Sequence, residues 1–294
     1  MALPLALLLA VSACGLAPAP ASAHPKDAQA AEPDEPALRG RTCLFAGHSF
    51  FAPVARAFDA LARRNGVEEH RAVTVFSPGR GGTPRGLWSD GDTRRRIEAE
   101  LRTGDVEVFG LPIAFGRRSA EADYRRWIDL ALACRSDVTI FLAQPWAPGG
   151  PRKSVPSYAA ETERATARAR ALVESLKGRY PDARFVFVDD GALVASMKQR
   201  FEAASLPEVR AEVGRGDRTL FRDRLLGHAS PLVHELAAAA WLVALYGADL
   251  DSLALSRPDV DPAAIVGPLF HARGTSRAQP DGPPPDEQGG HRTK

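Results

Sequence analysis

The chain has 294 residues, 45% of them apolar and 25% charged, and its 38 basic residues nearly balance its 36 acidic ones. These proportions are ordinary for a globular protein. Both signs of charge are mixed along the chain, so no nucleic-acid partner is expected, and the length less its two ends suits one α/β domain of roughly 230 residues.

Residues 3–13 are an apolar stretch too short to span a bilayer stably, and they read as the core of a signal peptide over residues 1–23. The stretch ends in Val11-Ser12-Ala13-Cys14-Gly15, which resembles the bacterial lipobox. That resemblance implies lipidation of Cys14 and a membrane anchor through the lipid. The small residues Ala21-Ser22-Ala23 offer a competing reading, cleavage after Ala23, which would give a periplasmic or secreted form. Both readings export the protein to or beyond the cell envelope. Residues 24–38 are rich in Ala, Pro and charge and read as a flexible linker. Residues 275–294, with Pro283-Pro284-Pro285 and a glycine pair, read as a disordered tail. The folded domain is expected over 39–274. Besides Cys14 there are two cysteines, Cys43 and Cys134. Export permits a disulfide, but two small buried thiols is the preferred reading. No Cys/His spacing resembles a zinc site, and neither a metal nor another cofactor is expected.

Within the domain, apolar runs of strand length alternate with helix-like segments. The first strand is expected over 42–46, followed by a helix over 52–64 in which Val54, Phe58, Leu61 and Ala62 share one face. Between them lies Gly47-His48-Ser49-Phe50. A serine at such a turn has its hydroxyl beside a helix N-terminus, where free N–H groups favour a developing oxyanion; the plainer role is capping the helix. A second strand over 72–76 runs into Gly79-Arg80-Gly81-Gly82-Thr83-Pro84. Its glycines let backbone N–H groups approach a ligand, but the Gly-Lys-Ser/Thr ending of a phosphate loop is missing. Arg80 and Arg85 flank this loop and are candidates for attracting an acidic substrate. A charged helix over 93–102, a strand over 106–111 and a helix over 124–134 follow. The fourth strand, 138–143, is followed by Gln144-Pro145-Trp146, and a side-chain amide there can donate to an oxyanion. Trp88 and Trp146 are weighed as sugar-stacking platforms against the commoner role of covering the core rim. A long helix over 158–177 and a fifth strand over 185–188 complete the alternation. Ser230-Pro231 then starts a last helix that runs to residue 246, with His228 just before it.

Strands alternating with helices imply parallel pairing with helices on both faces, a three-layer flavodoxin-like sandwich around a five-stranded sheet. In such sheets ligands bind outside the carboxyl ends of the strands. Ser49, Gly79, Gln144 and His228 are all expected there. Their order resembles the SGNH (GDSL-type) hydrolase superfamily over roughly residues 40–250. Gly47-His48-Ser49 matches the family's first block, which carries the nucleophile. The second block supplies a glycine N–H to the oxyanion hole, best matched by Gly79, with Gly82 as the alternative. The third supplies an asparagine, where this chain has Gln144. The fifth places an Asp three residues before a His; His228 fits, but Leu225 holds the acid's position and the nearest upstream acid is Asp223.

The resemblance implies the SGNH hydrolase fold and a serine esterase in which Ser49 attacks a carboxylic ester, His228 takes its proton and Asp223 orients the imidazole. Ser49, Gly79 and Gln144 would form the oxyanion hole. The expected partners are a small-molecule, carbohydrate or lipid ester and, if Cys14 is lipidated, a membrane. The departures at Leu225 and Gln144 favour a second reading, a binding or scaffold lipoprotein of weak or lost activity. For Asp223 to reach His228 the chain near Gly227 would have to bulge.

Overall fold

The computed structural model describes residues 38–114 and 119–271. The signal peptide with Cys14, nearly all of the linker, and the tail from 275 lie outside the described residues. The elements run β1 Thr42–Gly47, α1 Ala52–Arg64, β2 Arg71–Phe76, α2 Pro84–Ser89, α3 Gly91–Leu101, β3 Val108–Pro112, α4 Glu121–Cys134 and β4 Thr139–Gln144. After these come α5 Val155–Arg179, β5 Phe185–Asp189, α6 Asp190–Glu202, the short strands β6 Ala211–Val213 and β7 Thr219–Phe221, α7 Pro231–Tyr246, α8 Pro262–Val266 and α9 Pro268–His271.

The five long strands form one parallel sheet in the order β2-β1-β3-β4-β5. Its central strands are apolar on both sides, as a sheet covered by helices on both faces requires. Successive residues of β1 point to opposite faces: Cys43 and Phe45 join one core, Leu44 and Ala46 the other. The first core packs β1 and β4 against α1, α6 and α7, with Phe45, Phe58, Phe141 and Trp241 at its centre. The second packs the opposite face against α2, α3, α4 and α5, with Trp127 fully buried. The result is a three-layer α/β sandwich compatible with a flavodoxin-like fold. Cys43 and Cys134 are both free thiols, assigned to the cores on opposite faces of the sheet.

Three expectations shift. The third strand begins two residues later than expected and ends at Pro112, because the chain first turns through 103–107. Gln144 is the last residue of β4 rather than the first loop residue, paired with Asp189 of β5. The stretch after β5 is helix α6, entered with no intervening loop because Asp189 both ends the strand and caps the helix, accepting from Ala192 N–H at 2.9 Å.

Candidate active site

The turn after β1 is built by backbone bonds and one close packing contact. Gly47 sits where a Cβ would come within 2.6 Å of the Phe51 ring, so the Phe51 side chain can fold back under the turn only against glycine. The His48 carbonyl accepts from both Phe51 N–H and Ala52 N–H at 2.9 Å, and Phe50 N–H donates to His48 Nδ1 at 3.2 Å. Phe51 is the N-cap of α1, and no side chain caps that helix. Ser49 is therefore not a helix cap, and its own N–H has no partner among the described residues. Its hydroxyl lies 3.0 Å from His228 Nε2.

His228 comes from the loop between β7 and α7. The loop's ends are tied together, with Arg222 N–H donating to the His228 carbonyl at 2.7 Å and Ser230 N–H to the Leu220 carbonyl at 3.0 Å. Between them the chain doubles back through Gly227, whose φ of +72° is the left-handed conformation glycine tolerates best. The Asp223 carboxylate fills the inside of this bulge. It accepts from Leu226 N–H at 2.6 Å and from Gly227 and His228 N–H at 3.1 Å. Its Oδ2 is also 2.7 Å from His228 Nδ1. The bulge thus brings an acid five residues upstream onto the ring, while Leu225, at the position where the family pattern has its acid, is exposed to solvent.

Partial burial alone would raise the Asp223 pKa. The Leu226 N–H, His228 and the other loop N–H groups outweigh it and hold the carboxyl down to about 2. An ionised carboxylate only accepts, so the proton shared with His228 sits on Nδ1. Nε2 is left with its lone pair toward the Ser49 hydroxyl. About 30% of the His228 side chain and 36% of the Asp223 side chain remain accessible.

Two aromatic residues support the imidazole. The Phe50 ring lies 5.0 Å from His228, centroid to centroid, and 5.2 Å from Trp146. Trp146 is fully buried and donates its indole N–H to the Gly227 carbonyl at 2.9 Å. Gly149 N–H donates to the Leu226 carbonyl at 2.7 Å. The loop after β4 thus clamps the His228 loop. Phe50 and Trp146 are site-forming residues whose roles the sequence did not reveal, whereas Gly227 provides the bulge that the sequence required; a buried indole beside the site excludes the sugar-platform reading of Trp146. Trp88 packs edge-on against Trp127 at 4.8 Å with Arg94 over its ring, so it too belongs to the core rim.

The expected oxyanion donors divide. Ser49 N–H is unpartnered among the described residues. Gly79 has a φ of +55° in a short 3₁₀ turn over Gly79–Gly82, and a Cβ there would meet nothing within 4 Å. The glycine pressed against the nucleophile turn is Gly82, where a Cβ would stand 2.5 Å from His48 N. Gln144 is the clear correction. β3 lies between β1 and β4, so Gln144 ends a strand two places from the one that carries Ser49, about 10 Å across the sheet. Its amide N–H donates to the Pro145 carbonyl at 2.9 Å, and the residue is buried. Arg85 is likewise committed, its Nε 3.1 Å from the Asp123 carboxylate. Among the described residues no group of three His, Cys, Asp or Glu side chains is placed to hold a metal ion.

No family model matches the chain, and no curated protein matches it.

Proposed function

We propose that the chain is a serine esterase of the SGNH/GDSL type acting on carboxylic esters. The observation that carries this reading is the unbroken chain of hydrogen bonds Ser49–His228–Asp223 at the carboxyl edge of the sheet, with the serine N–H unpaired among the described residues. In the proposed mechanism Ser49 Oγ attacks the ester carbonyl carbon as His228 Nε2 takes its proton. The negative charge moves to the carbonyl oxygen, opposite Ser49 N–H. The imidazolium, stabilised by Asp223, then protonates the leaving alkoxide as the C–O bond breaks and an acyl-serine forms. Water attacks this intermediate, again losing its proton to Nε2, and the acid departs as Ser49 regains its hydrogen.

Ser49 N–H and the backbone of the Gly79–Gly82 turn serve as oxyanion donors in this reading, without a side-chain amide. Losing one such donor typically costs about 3–4 kcal/mol in the transition state. That missing amide favours the second reading, a binding or scaffold module of the same fold with little turnover. The substrate class follows from the resemblance: a small-molecule, carbohydrate or lipid ester. Export through residues 1–23, with a lipid at Cys14, completes the proposal.

Hydrolysis of a short-chain aryl ester by the wild type and by Ser49→Ala separates the readings. The esterase turns over the ester and the variant does not. A wild type no faster than Ser49→Ala, with both folded, leaves the binding module.

A further inference from the structure

Among the described residues three large apolar side chains are exposed: Phe76, Leu225 and Leu226, at 43%, 64% and 48%. All three leave the carboxyl edge of the sheet, where Ser49 and His228 lie. Phe76 is the last residue of β2, paired with Gly47, and Leu225 and Leu226 follow Asp223 in the His228 loop. Their exposure is not that of a loose segment, because Asp223 and Gly149 hold the loop backbone on both sides of Leu226.

Charge is just as unevenly placed. The chain as a whole is close to neutral, but the described residues of the loops leading from the carboxyl edge, 48–51, 77–83, 113–114, 119–120, 145–154 and 222–230, carry five basic residues and one acid, Asp223; of the five, Lys153 is paired with Glu161. Asp223 is occupied by His228 and by the loop. Arg80, Arg152, Arg222 and Arg224 are exposed, and none has an ion pair among the described residues.

We infer that this edge docks on an anionic bilayer, with Leu225 and Leu226 entering the interface and the surrounding arginines resting on the lipid head groups. Exposed leucines held on a rigid bulge, with cations beside them, are the arrangement that inserts at an anionic interface. A subsite for a soluble substrate would instead be concave, with its apolar side chains largely covered. Docking by this edge would present Ser49 to the membrane surface. The inference stands apart from the esterase reading, since a scaffold with the same edge would bind equally well.

The test places the reporter at the edge, so that the apolar N-terminal segment does not decide the outcome. In full-length protein Leu225→Trp is titrated with vesicles of phosphatidylglycerol and phosphatidylcholine, and separately with phosphatidylcholine alone. The expected difference spectrum against wild type moves to shorter wavelength, and brominated lipid quenches it, with the anionic vesicles only. Adding Arg222→Gln and Arg224→Gln should weaken partitioning by at least about tenfold, each arginine being worth about fivefold at an anionic surface. An indole that stays in water on both vesicles overturns the inference. So does an equal response to neutral vesicles.

Discussion

The two edges of the sheet each hold an aspartate, a histidine and a hydroxyl in a row, and they differ in one respect that matters for chemistry. At the carboxyl edge the row is Asp223, His228 and Ser49, with about a third of the imidazole accessible. At the amino edge Asp59 lies 3.3 Å from His70 Nε2, and His70 Nδ1 is 2.8 Å from the Tyr246 hydroxyl, which is 3.4 Å from Cys43 Sγ. There the His70 side chain is 1% accessible and Phe58 covers both rings. Burial lowers the His70 pKa, pushes the Cys43 thiol up to about 12 and raises the Tyr246 hydroxyl well above its ordinary range. The Tyr246 hydroxyl, bonded to the buried His70 and Cys43 side chains and with its pKa raised, is a strut between β1, β2 and α7. The same kinds of group become a candidate site only where the chain leaves the hydroxyl accessible beside an N–H that has no partner among the described residues.

Substitutions at the two edges should therefore separate cleanly. Asp223→Asn should lower kcat/KM on an aryl ester by about 10²- to 10⁴-fold, less than Ser49→Ala, because the amide no longer fixes the tautomer or stabilises the imidazolium. A wild-type rate would make the site a Ser-His pair and reduce Asp223 to a loop brace.

Between pH 7 and 4 His234 should make stability depend on acid. Burial, then Arg222 and His228, lower the His234 pKa to about 4, against about 6.5 in the unfolded chain. The folded state thus binds fewer protons than the unfolded state between those values. Stability is retained above pH 6.5 and falls as the pH drops, by about 3 kcal/mol near pH 4. His70 adds to the loss in the same direction. His234→Gln should flatten this slope in denaturant melts between pH 7 and 4, and an unchanged slope would assign acid sensitivity elsewhere.

Tyr246→Phe removes the partner of His70 Nδ1 and should cost about 1–3 kcal/mol, or roughly 2–4 °C in Tm for each kcal/mol. The aryl-ester rate should not change. A rate loss with an unaltered melt would join the two edges functionally and break the comparison. The smallest effect is expected at Gln144. Its replacement by Ala should leave kcat within about threefold of wild type, whereas a true oxyanion donor would cost about 10²–10³-fold.

The layers of the fold were legible because buried parallel strands read as apolar runs and their helices show 3.6-residue faces. α6 was missed for lack of a loop to announce it. α2 is short and follows a glycine run, and its only sequence mark is Thr83-Pro84, an N-cap and first-turn pair in which the Thr83 hydroxyl accepts from Gly86 N–H at 3.2 Å. Ser49 and His228 stood out because each interrupts a pattern, a strand end and a helix start. Gln144 lies at the expected edge but on a distant strand, because strand order is a tertiary property and β3 comes between β1 and β4. The contribution of Asp223 depended on a bulge whose sequence trace is one glycine, Gly227. Phe50 and Trp146 gave no sign beyond being aromatic, since packing against an imidazole leaves no spacing to read.

The central claim is that Ser49 is a nucleophile activated by His228, and a fluorophosphonate tests it most directly. The reagent's phosphorus should bond to Ser49 Oγ with loss of fluoride, adding one adduct per chain by intact mass and mapping to the peptide that holds Ser49. Ser49→Ala and His228→Ala, both folded by thermal melt, should remain unlabelled. Wild-type protein that takes up no adduct, or equal labelling of Ser49→Ala at another residue, would contradict the account.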